Sequence, residues 1–247
     1  MREIAGRYKG SLIGVAWSFV TPILMLTVYT FVFSVVFKVR WGIVESENNI
    51  SFAIILFIGL IIHGLFAEVI NRAPSLIVSN RNYVKKVIFP LEILPLVALG
   101  TAFFHSIISF LVLIVTLGLN GSQLHITIIF LPFLIIPLLL LILGATWFLA
   151  SLGVYFLDIS QFTGLMTTLL MFLSPIFYPI SAVPEKIQTL MLLNPLTFVV
   201  EQSRGVILGG NFPDWEGLAI YTLLSVLFAY LGYYWFQKTR RGFGDVL

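Results

Sequence analysis

The sequence predicts an all-α polytopic membrane protein with six transmembrane helices, an N-terminal amphipathic interface helix, a charged helix-forming loop and a re-entrant external helix pair. Two observations carry this prediction. Apolar residues make up 59% of the 247 and charged residues only 10%. The charges are gathered between long uncharged runs, at 11–37, 48–67, 93–157, 159–184 and 217–237. An apolar run of about eighteen residues or more has membrane-spanning length, and a water-soluble core rarely needs several of them. The run 93–157 splits at the turn-like Asn120-Gly121-Ser122, which makes six spans: 13–37, 50–70, 91–119, 125–156, 160–178 and 216–237.

Ahead of the first span, Met1, Ile4, Ala5, Tyr8 and Leu12 fall on one arc of about 100° when the chain is wound as a helix, with Arg2, Glu3, Arg7 and Lys9 on the other side. A helix over 1–12 therefore lies flat in the membrane interface, and Arg2, Arg7 and Lys9 sit at the height of lipid phosphates. Simple anchoring and binding of an anionic head group both fit. The first apolar run follows basic residues, as in a signal peptide. It is about twice the length of a signal-peptide core, however, and no small-residue cleavage site follows, so it is expected to remain as a span.

Lysine and arginine in short loops mark the cytoplasmic side. With both termini inside, ten of the fourteen are cytoplasmic: Arg2, Arg7, Lys9, Arg72, Arg81, Lys85, Lys86, Lys238, Arg240 and Arg241. Lys38, Arg40, Lys186 and Arg204 remain outside. The net charge of +3 reflects this topology and implies no nucleic-acid partner.

The stretch "NRNYVKKVIFPLEILPL", 80–96, thus forms an inside loop between the second and third spans. Residues 74–86 have helical length and begin with Pro74, which a helix start tolerates. This helix is either a solvated connector or a docking element. Glu92 falls in the first turn of the third span, where a carboxylate favours the positive helix end.

Between the fifth and sixth spans, 187–200 is apolar but interrupted by Asn194-Pro195 and too short to span. Two half-helices, 184–193 and 196–208, are expected to dip in and return beside a pathway; an ordinary external amphipathic loop is the other reading. Glu201 and Arg204 are spaced to pair at i, i+3. The cytoplasmic tail is 238–247.

Motifs for covalent chemistry are missing from the sequence. It has no P-loop to hold ATP phosphates and no G-x-S-x-G elbow. The absence of cysteine removes disulfides and thiol chemistry. His63, His105 and His125 lack the partners of a metal or catalytic cluster and read as packing or interfacial residues. All eleven acids lie in loops or near span ends, which disfavours proton-coupled transport. The spans do carry stripes: Tyr29, Phe33 and Phe37 at i, i+4, i+8, and Thr167, Met171, Ser174 and Tyr178 at i, i+4, i+7, i+11. Such stripes pack or touch lipid, or they wall a channel, since flat aromatic faces and a few hydroxyls suit passing sugar rings.

Five stretches resemble the membrane subunit of ATP-binding-cassette polysaccharide exporters, the permeases for O-antigen, capsule and teichoic acid. They are "RYKGSLIGVAWSFVTPIL" (7–24), "NYVKKVIFPLEILPL" (82–96), "LSPIFYP" (173–179), "NPLTFVVEQSR" (194–204) and "FQKTRRGFGDVL" (236–247). Leu91 stands where many relatives have arginine after Phe-Pro. The chain is most similar to the O-antigen exporters.

The resemblance implies a cytoplasmic coupling helix within 72–86, with Arg81, Tyr83, Val84, Lys85 and Lys86 docking on an ATPase. It also implies external gate helices at 184–208, carrying Asn194, Pro195, Glu201 and Arg204. A central path lined by the first and fifth spans makes Tyr29, Phe33, Phe37, Thr167, Met171, Ser174 and Tyr178 channel residues. The implied assembly is two permease copies with two ATPase subunits in the bacterial inner membrane, among membrane lipids. It moves a polyprenyl-pyrophosphate-linked polysaccharide, with ATP and Mg²⁺ bound by the partner and no cofactor in this chain. The permease makes no covalent change. A type II exporter of another lipid or drug is the alternative, and a polyprenyl-phosphate-dependent glycosyltransferase a more distant one.

Overall fold

The computed structural model describes residues 14–36, 52–84 and 89–247, and among these the chain is helical with no strand. The interface segment 1–12, with Arg2, Arg7 and Lys9, lies outside the described residues, as do Phe37, Lys85 and Lys86.

The helices follow the uncharged runs. α1 covers Trp17–Tyr29, holds Pro22 within it, and widens into a π-helical stretch over Thr30–Val36. Thr27 and Thr30 donate back to the carbonyls of Ile23 and Leu26, both at 2.8 Å, so their hydroxyls are satisfied on the helix itself. α2, Phe52–Arg72, is apolar on all sides over Phe52–Ile62 and largely buried, with Ala53, Leu56, Ile58, Ile62 and Val69 wholly enclosed. α3 is Ile93–Leu119, and α4 is Leu131–Tyr155, entered through a tight turn at Ile126–Phe130.

α5 covers Ile159–Leu173 and ends short of the 178 expected for the fifth span. The reason is local: Ser174 precedes Pro175, and the proline ring pushes the residue before it out of helical geometry. The shorter α6, Glu185–Leu192, and α7, Pro195–Leu208, follow, and α8 is Trp215–Thr239. Asp214 caps α8 by accepting from the Gly217 amide at 3.1 Å.

Among the described residues, four helical stretches are long and apolar enough to cross a membrane: Phe52–Arg72, Ile93–Leu119, Ile126–Tyr155 and Trp215–Val246. The helices at Trp17–Phe33 and Ile159–Leu173 are apolar but shorter. α8 leaves Ile220, Leu223, Leu224, Leu227 and Leu231 exposed, a surface suited to lipid chains.

The chain divides into two compact units. The first comprises 1–64, 103–131 and 171–213. Its core is built around α7, whose Leu196, Val199, Val200, Val206 and Ile207 are buried. The Thr127 hydroxyl donates to the Val206 carbonyl at 2.7 Å, and the rings of Phe130 and Phe212 meet at 5.6 Å. The second unit comprises 65–102, 132–170 and 214–247. There Trp147 sits edge-on to Tyr233 at 5.0 Å, while Phe236 and Phe243 are fully enclosed.

The charged loop is not one continuous helix. It forms two single turns, Ser75–Val78 and Arg81–Val84. Between them the Ser79 hydroxyl donates to the Ser75 carbonyl at 2.7 Å and the Asn80 amide to the Leu76 carbonyl at 2.9 Å. Short polar side chains that bond to nearby backbone compete with helix propagation and suit the turn that separates these two segments.

Candidate functional site

In the first unit the site forms where α5 stops and α7 starts. Asn194 caps α7, accepting the Leu196 amide at 3.0 Å, and Pro195 occupies the first helical position, where its missing N–H costs nothing. The same Asn194 side chain donates to the Ser174 hydroxyl at 2.9 Å. Both residues are buried.

Arg204 lies about three turns further along α7 and is 7% exposed. The i, i+3 spacing that predicts its pairing with Glu201 holds, with Nη1 2.9 Å from Oε1. Sequence reasoning missed its larger role. The guanidinium also donates to the Pro175 carbonyl through Nη1, to the Ile176 carbonyl at 3.0 Å through Nη2, and to the Ile55 carbonyl at 3.2 Å through Nε. Pro175 and Ile176 follow the end of α5, where backbone carbonyls have lost their helical partners. Arginine's planar fork serves several acceptors at once, which lysine's single ammonium does not.

Burial lowers the proton affinity of this guanidinium below its ordinary value, and the charge and hydrogen bond of Glu201 offset only part of that. Gly59 on α2 makes room for the arrangement. A Cβ there would come within 3.2 Å of Ile176 and 3.3 Å of Arg204 Nη2. The lone arginine in an apolar helix, with Ser-Pro upstream, is the signal in the sequence that points to this cluster.

The expected channel residues are distributed differently along the two stripes. Tyr29 and Phe33 are half-buried with ring centres 6.5 Å apart, and Phe33 also packs on Phe52 at 5.3 Å. Met171 and Tyr178 are half-buried, and the Tyr178 hydroxyl donates to the Phe172 carbonyl at 2.6 Å. Ser174 is fully enclosed beneath Asn194. In the second unit Thr167 is also buried, donating to Asn71 Oδ1 at 3.1 Å.

The charged loop belongs to the second unit. Arg81 and Tyr83 are exposed and Val84 is half-buried. The Tyr83 ring stacks on Phe89, with centres 4.4 Å apart and planes 19° from parallel. The start of the loop sits directly on α4, where a Cβ on Gly153 would fall 2.1 Å from the Pro74 carbonyl oxygen. At its end, Glu92 Oε2 pairs with Arg240 Nη1 at 2.8 Å, and the Glu92 carbonyl accepts from the Trp147 indole at 3.2 Å. Trp147 is thereby a buried anchor of the loop's exit.

Comparison with known proteins agrees with this architecture. The family model for the ABC-2 type transporter matches residues 1–208. The O-antigen export system permease protein RfbA of Myxococcus xanthus is 28% identical, over 99% of this chain and 92% of its own length. The protein of the same name from Klebsiella pneumoniae is 24% identical over 100% of this chain and 92% of its own. The polysialic acid transport protein KpsM of Escherichia coli is 26% identical over 94% and 88%. With its long apolar helices and a family match over most of its length, the chain belongs to the ABC-2 type transporter family.

Proposed function

We propose that this chain is the permease of an exporter that moves a polyprenyl-pyrophosphate-linked polysaccharide of O-antigen type across the bacterial inner membrane. It works as two copies driven by two separate ATPase subunits, which bind the ATP and Mg²⁺. The family match carries the reading, supported by full-length similarity to permeases named for O-antigen export.

Both termini and the 72–92 loop face the cytoplasm in this reading, and Arg81, Tyr83, Val84, Lys85 and Lys86 meet the ATPase. The stacking of Tyr83 on Phe89 gives this contact a shaped base. Arg2, Arg7 and Lys9 hold the lipid phosphates, since cationic side chains make strong charge-assisted bonds to such groups. Tyr29, Phe33, Phe37, Met171 and Tyr178 line the glycan's route. Thr167 and Ser174 hold that stripe in place through Asn71 and Asn194. Weak contacts spread along a path suit a polymer, because tight binding at any one point would stall it.

The 184–208 pair acts as an external gate. Arg204 and Asn194 tie the second helix of that gate to the end of the fifth span, so movement of the span is passed to the gate.

The test is reconstitution of the permease with its ATPase in liposomes, using a polyprenyl-pyrophosphate oligosaccharide as probe. Translocation that requires both proteins and ATP supports the reading. ATP-dependent transport indifferent to the glycan would instead identify an exporter of another lipid or drug, and sugar transfer by the permease alone would identify an enzyme.

A further inference from the structure

The end of the chain folds back onto the exit of the charged loop. α8 ends at Thr239, Arg240–Gly242 makes a tighter turn, and Phe243–Val246 adds one more helical turn. Phe243 is wholly buried, edge-on to Phe236 at 5.6 Å and tilted against Tyr155 at 6.1 Å. The Tyr155 hydroxyl donates to the Thr239 carbonyl at 3.1 Å. With the tail anchored in this way, Arg240 reaches Glu92, the residue between Pro90-Leu91 and the first turn of α3.

An ion pair made by a loose surface tail contributes little, because two long side chains must be ordered in water. Here the side chains are 35% and 24% exposed, and the backbone on both sides is already fixed, by Phe243 and by the Trp147–Glu92 bond. The pair links the loop's exit to the end of α8 by a short, contiguous route. Coupling between distant parts of a protein is carried by contacts of this kind.

We infer that Arg240 is a positioning residue for energy transfer: through Glu92 it makes displacement of the charged loop and displacement of the end of α8 a single movement. This rests on the proposed reading of the loop as the ATPase docking segment. Without Arg240 the ATPase still docks and hydrolyses ATP, because residues 81–84 are untouched. The loop then moves without carrying α8.

The test uses Arg240→Gln in the full permease–ATPase pair. Three quantities are measured: permease in the membrane, ATPase bound and its hydrolysis rate in the purified complex, and the cells' own surface polysaccharide stained on gels. Membrane level, bound ATPase and hydrolysis are expected to stay within about twofold of wild type while export falls about fivefold, a size typical of altered coupling. Arg240→Lys restores more than half of the export. The exchange of Glu92→Arg with Arg240→Glu recovers what either change alone removes.

Unchanged export in Arg240→Gln overturns the inference. Loss of the permease itself from the membrane also overturns it, since the pair is then a folding contact. Failure of the underlying reading has a different signature: Tyr83→Asp with Val84→Asp leaves the ATPase bound, and both the docking reading and this inference fall. ATPase loss in that double variant, with unchanged export in Arg240→Gln, overturns the inference alone.

Discussion

Asn194 donates through Nδ2 to the Ser174 hydroxyl at 2.9 Å, which ties the cap of α7 to the residue at which the fifth-span helix breaks. Asn194→Ala removes both this bond and the cap, at a cost of about 1–3 kcal/mol. Ser174→Ala keeps the cap and leaves one buried amide N–H without a partner, at about 1–2 kcal/mol. Thermal unfolding of the purified permease is expected to rank them in that order. The double variant should cost less than the sum, because the two side chains share a bond.

Arg204 serves four acceptors from a buried position, so its loss exceeds that of any one contact. Arg204→Met leaves Glu201 and three carbonyls unanswered and is expected to destabilise by about 3–5 kcal/mol. Arg204→Lys falls between this and wild type, because one ammonium does not span all four. Glu201→Gln costs about 1 kcal/mol or less, its side chain being 38% exposed. Denaturant melts in detergent check the order, and equal effects of Arg204→Met and Glu201→Gln would contradict it.

Gly153 carries the loop's first residues directly against α4. A Cβ 2.1 Å from the Pro74 carbonyl leaves no room, so Gly153→Val is expected to shift the loop and destabilise by about 1–3 kcal/mol. Recovery of the ATPase with the purified permease should fall with it. Gly164 has open space around it, and Gly164→Ala is the control that leaves recovery unchanged.

Tyr83 stacks on Phe89 and is 38% exposed. Tyr83→Phe preserves the ring pair and is expected to retain ATPase binding. Tyr83→Ala loses about 0.5–1.5 kcal/mol of stacking and with it the shape of the loop. Pull-down of the ATPase separates the two; equal recovery with both variants would show that the stack has no part in docking.

The long helices were legible because charge marks where they end. Glu68, Glu92 and Glu216 bracket the uncharged runs, and the observed helices stop or start within a few residues of them. The start of α7 was legible from Asn-Pro, a cap followed by the one residue that needs no partner there. Other features depend on tertiary neighbours. Arg204 bonds to Ile55, which is 149 residues away, and although a lone arginine in an apolar helix signals a buried cluster, nothing local identifies that acceptor. Thr167 and Ser174 share a stripe with Met171 and Tyr178, and spacing alone does not say which members turn inward. Phe243 looks like part of a polar tail, yet burial against Phe236 and Tyr155 fixes it. The charged loop reads as one helix by length, but Ser79 and Asn80 form a turn between two single helical turns.

The central claim is that work enters this permease from a separate ATPase through the loop at 72–92. The chain has no cysteine, so one introduced at the exposed Asn82 carries a photoreactive maleimide without competing sites on the permease. In inside-out membrane vesicles containing both proteins, the account predicts a cross-link between permease and ATPase from position 82 and none from a cysteine at Phe212. No cross-link from 82, or one from 212 instead, would contradict it.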